Sequence, residues 1–321
     1  MKTINDIKTI AVLGAGTMGP GIAQTFAMGG YAVVMWTRSE ATREKAKRAL
    51  YAQLATFAEE GEIKKEDVDS VYGRVSFAAS VEEAVAKADF VQETIVENRE
   101  AKMELYEKLA KSVKQDAILA SNTSAMNIFE VVPEELLPQQ IICHWYAPPQ
   151  LIPLVEVVKS GQAPQEYAEI AMELLKRCGK TAVLMKKFVK GYIVNRLQQC
   201  LNREVFYLLD NGYCDAEAID LAAKASFIPR ACVLGLCKRA DFGGLDMTAN
   251  NYRNRSYTMP EHGDEMPRVL EELVEKGNLG IKTGKGFYDY SETDIEELKA
   301  KRDRQLFEVF RLEKKFLDDP V

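Results

Sequence analysis

The stretch "TIAVLGAGTMGPGIAQTFAMGGYAVVMW", residues 9–36, decides the fold. "TIAVLG" reads as a short buried strand, and "AGTMGPGIAQTFAMGG" turns into a helix that closes on a glycine pair. "YAVVMW", rich in β-branched and aromatic residues, is the next strand. Between the first strand and the helix lies Gly14-Ala15-Gly16-Thr17-Met18-Gly19, a G-x-G-x-x-G run in strand–turn–helix context. Gly14 permits the tight turn, Gly16 lets the backbone approach a pyrophosphate, and Gly19 allows close helix–strand packing. Thr17 and Met18 lie inside the same loop, and the helix start offers free N–H groups and a positive dipole end to phosphate. Pro20 falls in the first turn, where its missing N–H costs little. A glycine turn that only packs a helix on a sheet is the competing reading, and the context favours a dinucleotide.

About twenty residues on, an Asp or Glu at the end of the second strand normally takes the adenosine ribose hydroxyls. Here the run is "MWTRSE", with Thr37 at that place, then Arg38 and Ser39. A carboxylate would repel a 2′-phosphate, whereas these three side chains can bind one. Arg38 reads equally well as a solvated charge at a helix start. NAD and NADP both remain open as cofactor.

Further strands are expected at "GRVSFAAS", "DFVQETIV", "AILASNTS", "QIICHWY", "LIPLVEVVKS" and "TAVLMKK". Helices between them include residues 40–60, with Ala46, Leu50, Leu54 and Phe57 on one face. This alternation predicts an α/β fold: a Rossmann-type, doubly wound, mainly parallel sheet over residues 1–188. From 189 to 321 the period turns helical, in "GYIVNRLQQCLNREVFYLLDNG", "DAEAIDLAAKASF", "MPRVLEELVEKG" and "IEELKAKRDRQLFEVFRLEKKFL". An all-α second domain is therefore expected.

The totals narrow the class. With 42 Lys+Arg against 48 Asp+Glu the net charge is −6, and no basic cluster marks a nucleic-acid surface. The six cysteines are scattered and form no CxxC pair, which argues against zinc and against a disulfide framework. The N-terminal run reads as neither signal peptide nor anchor, and no apolar run reaches bilayer length. A cytoplasmic protein without a membrane partner is expected. "GIKTGKG" at 280–286 fails as a P-loop, because the glycine spacing is short and Gly286 stands where Ser or Thr is needed.

Only two histidines occur in the 321 residues, and one, His144, lies in "IICHWYAPPQLIPLVEVV" at 141–158, with Glu156 twelve residues on. It is either a core histidine satisfying a backbone carbonyl or a general base oriented by a carboxylate.

The glycine loop, "ASNTSAMNI", "CHWYAPPQLIPLVEVV", "KGYIVNRL" and "KTGKGFYDY", in this order, resemble the L-3-hydroxyacyl-CoA dehydrogenase family from about residue 7 to 290. Residues 291–321 add a charged helix without a match. The resemblance implies reversible hydride transfer between nicotinamide and the 3-hydroxyl carbon of an L-3-hydroxyacyl-CoA or a related 3-hydroxy acid. It implies His144 as general base, Glu156 as its orienting carboxylate, Ser124 as hydrogen-bond partner of the reacting oxygen, and Asn195 as a substrate contact. It implies Glu97 and Lys102 along the nicotinamide side, with Asn122 among the cofactor contacts. It also implies a homodimer paired through the helical domain.

Departures bear on substrate. The family run H-F-F-N-P is H-W-Y-A-P-P here, so Ala147 replaces an Asn. "PPQLIPLVEVV" is similar to a branch holding lambda-crystallin (gulonate dehydrogenase) and carnitine dehydrogenase-like proteins, which use free hydroxy acids. Glu59 and Glu60 end a helix that often carries lysines in CoA-using relatives, and acids there repel a phosphate-bearing carrier. Three readings follow: a thioester dehydrogenase, a dehydrogenase of a free polar hydroxy acid, and a non-catalytic dinucleotide-binding structural protein.

Overall fold

A computed structural model of the chain describes residues 2–254 and 265–319. Two compact units divide between Tyr192 and Ile193. The first is built on eight strands: β1 (Thr9–Leu13), β2 (Ala32–Trp36), β3 (Val75–Phe77), β4 (Phe90–Glu93), β5 (Ile118–Ser121), β6 (Gln140–Trp145), β7 (Leu154–Lys159) and β8 (Thr181–Leu184). They lie in the order β3-β2-β1-β4-β5-β6-β7-β8. Every neighbouring pair is parallel except β6 with β7. The order reverses direction between β1 and β4, and open α/β sheets bind ligands in the crevice outside the carboxyl ends at such a point.

Helices α1 (Gly19–Met28), α2 (Glu40–Glu59), α3 (Val68–Tyr72), α4 (Val81–Val85), α5 (Arg99–Ser112) and α6 (Gln165–Arg177) cover both faces. Alternation along β1 feeds two cores: Ile10 and Val12 pack with α1, α2 and α6 residues, Ala11 and Leu13 with α4 and α5. Strands β4, β5 and β6 are buried along their whole length, as a sheet covered on both faces requires. On α2 the buried residues are the expected Ala46, Leu50, Leu54 and Phe57.

One expectation needs correction. The strand expected to start at Leu151 starts at Leu154, because residues 148–152 form a turn. Lys180, just after α6, holds that turn: its buried Nζ donates to the carbonyls of Pro149 (2.6 Å), Ile152 (3.0 Å) and Gln150 (3.3 Å). The Trp145 ring lies 5.6 Å from the same ammonium. The short helix α3 was also missed in the sequence, being too brief to show a period.

The second unit contains α7 (Val194–Asp210), α8 (Ala216–Ala222), α9 (Ile228–Gly243), α10 (Leu245–Asn254), α11 (Arg268–Glu275) and α12 (Ile295–Asp318). A π-helical turn, Ala223–Phe227, joins α8 to α9, and α9 kinks at Gly235. Helices α9 and α10 escape the sequence reading because Pro229, Gly235 and the Gly243-Gly244 pair punctuate them. Among the described residues no helix is long and apolar enough to cross a membrane.

Lys180→Met keeps much of the side-chain volume but strips a buried turn of its donor. Unfolding free energy should fall by about 2–3 kcal/mol, read by urea denaturation; an unchanged midpoint would show that the turn holds itself.

Candidate active site

At the carboxyl end of β1 the backbone enters the left-handed half of conformational space at Gly14 (φ 116°). A Cβ there would lie 2.5 Å from the Thr94 carbonyl oxygen on the neighbouring β4 connection. At Gly19 it would lie 2.1 Å from the Gly14 carbonyl, so the helix start and the turn are in backbone contact. Nothing stands within 4 Å of a Cβ at Gly16, which is exposed together with Thr17. The first and third glycines are thus demanded by the protein's own packing, and the second leaves backbone open to a ligand. Met18, at the N-cap of α1, supplies no side-chain acceptor to the first turn. Free N–H groups at the positive end of a ten-residue helix fit a pyrophosphate.

Beyond β2, Thr37 is half-buried and Arg38 exposed. Ser39 is already engaged as the N-cap of α2, accepting from the Thr42 N–H. The candidate ribose-side contacts are therefore Thr37 and Arg38.

Charged groups concentrate at the carboxyl ends of β4 and β5. Glu93, ending β4, is buried, and both of its oxygens lie 2.7 Å from Nζ of Lys102 in α5. The Ser121 hydroxyl and the Ile95 N–H donate to the same carboxylate. Lys102 is itself fully buried and lies 3.6 Å from Glu97. Glu97 accepts from the Thr123 hydroxyl and from the N–H groups of Ser124 (3.1 Å), Ala125 (3.2 Å) and Met126 (3.2 Å). Burial acts to raise its pKa, but the Thr123 hydroxyl, the Lys102 charge and the backbone donors outweigh it and hold the carboxyl below its usual value. Asn122 accepts from the Trp145 N–H at 2.8 Å and donates to the Thr94 hydroxyl, tying β4, β5 and β6 together. Ser124 stands exposed on this braced loop.

His144 lies on β6 directly opposite Glu156 on β7. Both are buried, at 4 % and 0 % exposure, and Nδ1 of the imidazole is 3.1 Å from Oε2 of the carboxylate. The Tyr146 hydroxyl donates to that same oxygen at 2.5 Å. Tyr192 stacks on the imidazole with ring centres 4.4 Å apart and an angle of 22°. Its own hydroxyl donates to the Thr123 carbonyl at 2.7 Å. Burial, and then the Glu156 carboxylate, keep the Tyr146 phenol protonated; burial and then Glu97 do so for Tyr192.

Of the expected catalytic residues, His144 and Glu156 are in direct contact, and Ser124 hangs on the loop that Glu97 holds. Asn195 is exposed in the first turn of α7, in the second unit. Sequence reasoning missed Glu93, Ser121, Tyr146 and Tyr192. The first two are visible only as polar residues at the ends of apolar strands, and the tyrosines only as aromatic neighbours of quoted motifs. A surface cavity of about 780 Å³ lies elsewhere, where α1 ends and β3 begins, lined among others by Met28, Lys64, Lys65 and Arg74. Its lysines follow Glu59 and Glu60 closely, so the charge at that end of α2 is mixed.

A glycine turn shaped for a pyrophosphate, at the carboxyl end of a sheet that also buries a carboxylate-paired imidazole, defines a nicotinamide-dinucleotide-dependent oxidoreductase. Sequence comparison is more specific. Residues 9–188 match the family described as 3-hydroxyacyl-CoA dehydrogenase, NAD binding domain, and residues 191–290 match 3-hydroxyacyl-CoA dehydrogenase, C-terminal domain. The chain belongs to the 3-hydroxyacyl-CoA dehydrogenase family, whose enzymes are NAD-dependent oxidoreductases acting on CH–OH groups. It is 36% identical over 288 residues to a probable 3-hydroxybutyryl-CoA dehydrogenase of Bacillus subtilis, covering 89% of this chain and 99% of that one. It is 32% identical over 308 residues to 5-formyl-3-hydroxy-2-methylpyridine 4-carboxylate 5-dehydrogenase of Mesorhizobium japonicum, covering 95% and 98%. A solved structure of an enzyme of that name, described as an NAD+ dependent dismutase, superposes with a TM-score of 0.84 at 29% identity, covering 96% of this chain and 99% of that one.

Proposed function

We propose that this enzyme oxidises a secondary alcohol, or reduces the corresponding carbonyl, with His144 as general base. The observation that carries this is the buried His144–Glu156 pair on facing strands. Glu156 takes Nδ1, which leaves Nε2 to accept the hydroxyl proton, and its charge stabilises the imidazolium that forms. The bound nicotinamide supplies the hydride acceptor or donor. Ser124 hydrogen-bonds the reacting oxygen and Asn195 contacts the substrate. Gly14, Gly16, Thr17, Met18 and Gly19 hold the pyrophosphate, while Glu97, Lys102 and Asn122 shape the nicotinamide side.

The substrate we favour is a compact carboxylate-bearing molecule rather than a CoA thioester. The likeness to the pyridine carboxylate dehydrogenase spans 95% of this chain, against 89% for the Bacillus relative, and the family match itself stops at residue 290, before α12. Ala147 in place of an amide points the same way.

His144→Ala should lower kcat by roughly 10²–10⁴ while NADH affinity stays near wild type, and Glu156→Gln should fall less far. A screen of 3-hydroxybutyryl-CoA against free hydroxy acids and aromatic aldehyde carboxylates, followed by nicotinamide absorbance, identifies the substrate. Normal turnover by His144→Ala would leave the histidine as a core residue, and efficient use of the thioester alone would overturn the substrate reading.

Thr37 and Arg38 at the end of β2 favour acceptance of NADP(H) beside NAD(H). Thr37→Asp should shift preference toward NAD(H), because a carboxylate accepts from ribose hydroxyls and repels a 2′-phosphate. Wild-type protein with no measurable NADP(H) turnover would contradict this.

The enzyme works as a homodimer in this reading. Phe307 is the only buried apolar residue among those described in the second unit, while Leu197, Leu201, Leu221, Leu236, Phe242 and Leu245 are all at least 40% exposed. A second copy covering such faces removes them from water. Light scattering at micromolar concentration should give twice the 36.0 kDa chain mass; a monomer would count against the pairing.

A further inference from the structure

Oε2 of Glu156 receives two donors from one strand. His144 and Tyr146 are two residues apart at the end of β6, so their side chains leave the same face. Nδ1 of the imidazole lies 3.1 Å from Oε2, and the Tyr146 hydroxyl donates to it at 2.5 Å. The two rings sit 4.6 Å apart, tilted by 60°. A phenol that donates to a carboxylate oxygen withdraws negative charge from it, and a hydrogen bond to a charged acceptor is about twice as strong as a neutral one. Whatever charge the phenol draws is lost to the imidazolium that shares the oxygen. Other titratable groups nearby have contacts of their own. Tyr192 covers the imidazole but stays neutral, and Glu97 faces Tyr192, Thr123 and Lys102. Glu93 is engaged by Lys102 and Ser121.

We infer that Tyr146 is a positioning residue: its hydroxyl, donating to Oε2 of Glu156, weakens the carboxylate's hold on protonated His144 and keeps more of the imidazole neutral and able to accept a proton. The inference rests on His144 being the base, but the contact itself is measurable without substrate. The same hydroxyl fixes the carboxylate rotamer, so Nδ1 finds its partner already in place.

The chain has two histidines, His144 and His262. Selective ¹⁵N-histidine labelling of the full-length protein therefore gives two sets of ring signals, and His144→Ala assigns them. In Tyr146→Phe the His144 midpoint should rise by roughly half to one pH unit, and the acid limb of kcat/KM should move with it. In a Glu156→Gln background the same substitution should leave the midpoint nearly fixed, since the coupling runs through the carboxylate. If circular dichroism shows Tyr146→Phe to be unfolded, Tyr146→Leu, which also removes the hydroxyl but relaxes the ring packing, carries the same expectation. A midpoint that stays or falls in the folded variant, or that rises equally in both backgrounds, overturns the role of Tyr146. Full activity of His144→Ala would instead overturn the base reading and leave this contact standing.

Discussion

The antiparallel pairing of β6 with β7 places an imidazole and a carboxylate on the same face of adjacent strands. Side chains alternate with period two, so a slip of one residue would send Glu156 to the opposite face and leave His144 without its partner. Removing a carboxylate from water costs several kcal/mol unless donors replace its hydration. Here His144 and Tyr146 both supply donors to Oε2. The register in turn depends on the connection between the strands, residues 146–153, where Lys180 gathers three carbonyls beneath the Trp145 ring. Burial pushes that ammonium down to about 7, and the carbonyls that accept from it act to keep the charged form. A reversal of chain direction in the sheet thus brings two residues twelve apart into one buried, hydrogen-bonded pair.

From this pair a continuous set of contacts reaches the carboxyl ends of β4 and β5. Tyr192 stacks on His144 and donates to the Thr123 carbonyl; the Thr123 hydroxyl donates to Glu97; Glu97 lies beside Lys102, which pairs with Glu93. The buried ion pair by itself is weak evidence of stability, because desolvation offsets much of its attraction. Its position is more telling. It anchors α5 to the ends of β4 and β5, and through Glu97 it fixes three successive backbone N–H groups of the loop that bears Ser124. Hydride transfer needs reacting atoms held within a few tenths of an ångström, and a satisfied polar network on strand ends provides such stiffness.

Much of this was legible in the chain, and the legible part is local. The glycine turn reads directly because its requirements fall within six consecutive residues: a left-handed φ at Gly14 and no Cβ at Gly19. The face of α2 reads equally well, since a twenty-residue helix shows its period. His144 and Glu156 became a pair only through the family resemblance, because no local rule says that β7 runs antiparallel to β6. Glu93 and Tyr146 were hidden for a similar reason. A glutamate closing "FVQE" looks like a solvated strand end until a lysine from the next helix is folded onto it. Tyr146 looks like an aromatic neighbour until the strand pairing brings Glu156 within reach of its hydroxyl. Ser39, one of three side chains able to bind a 2′-phosphate, caps a helix, a role its place before "EATREK" already permitted.

Tyr192 shows what holding the His144 ring in place costs. It is the only non-glycine residue among those described with a positive φ, 51°, a conformation that disfavours an L side chain by about 1–2 kcal/mol. Strain of that size persists only where the surroundings over-determine it. Tyr192 is fully buried, bonded through its hydroxyl to Thr123 and packed edge-on against Phe188 at 5.8 Å. Gly191 before it also has positive φ, 83°, so the chain turns sharply twice and delivers the ring flat against His144. With one ring face covered and Nδ1 engaged, the imidazole is held both by its face and by its edge. The same turn closes the first unit of the chain. The residue that ends the first unit is therefore also the one that covers His144, and the backbone strain there is stored against the imidazole on which its ring stacks.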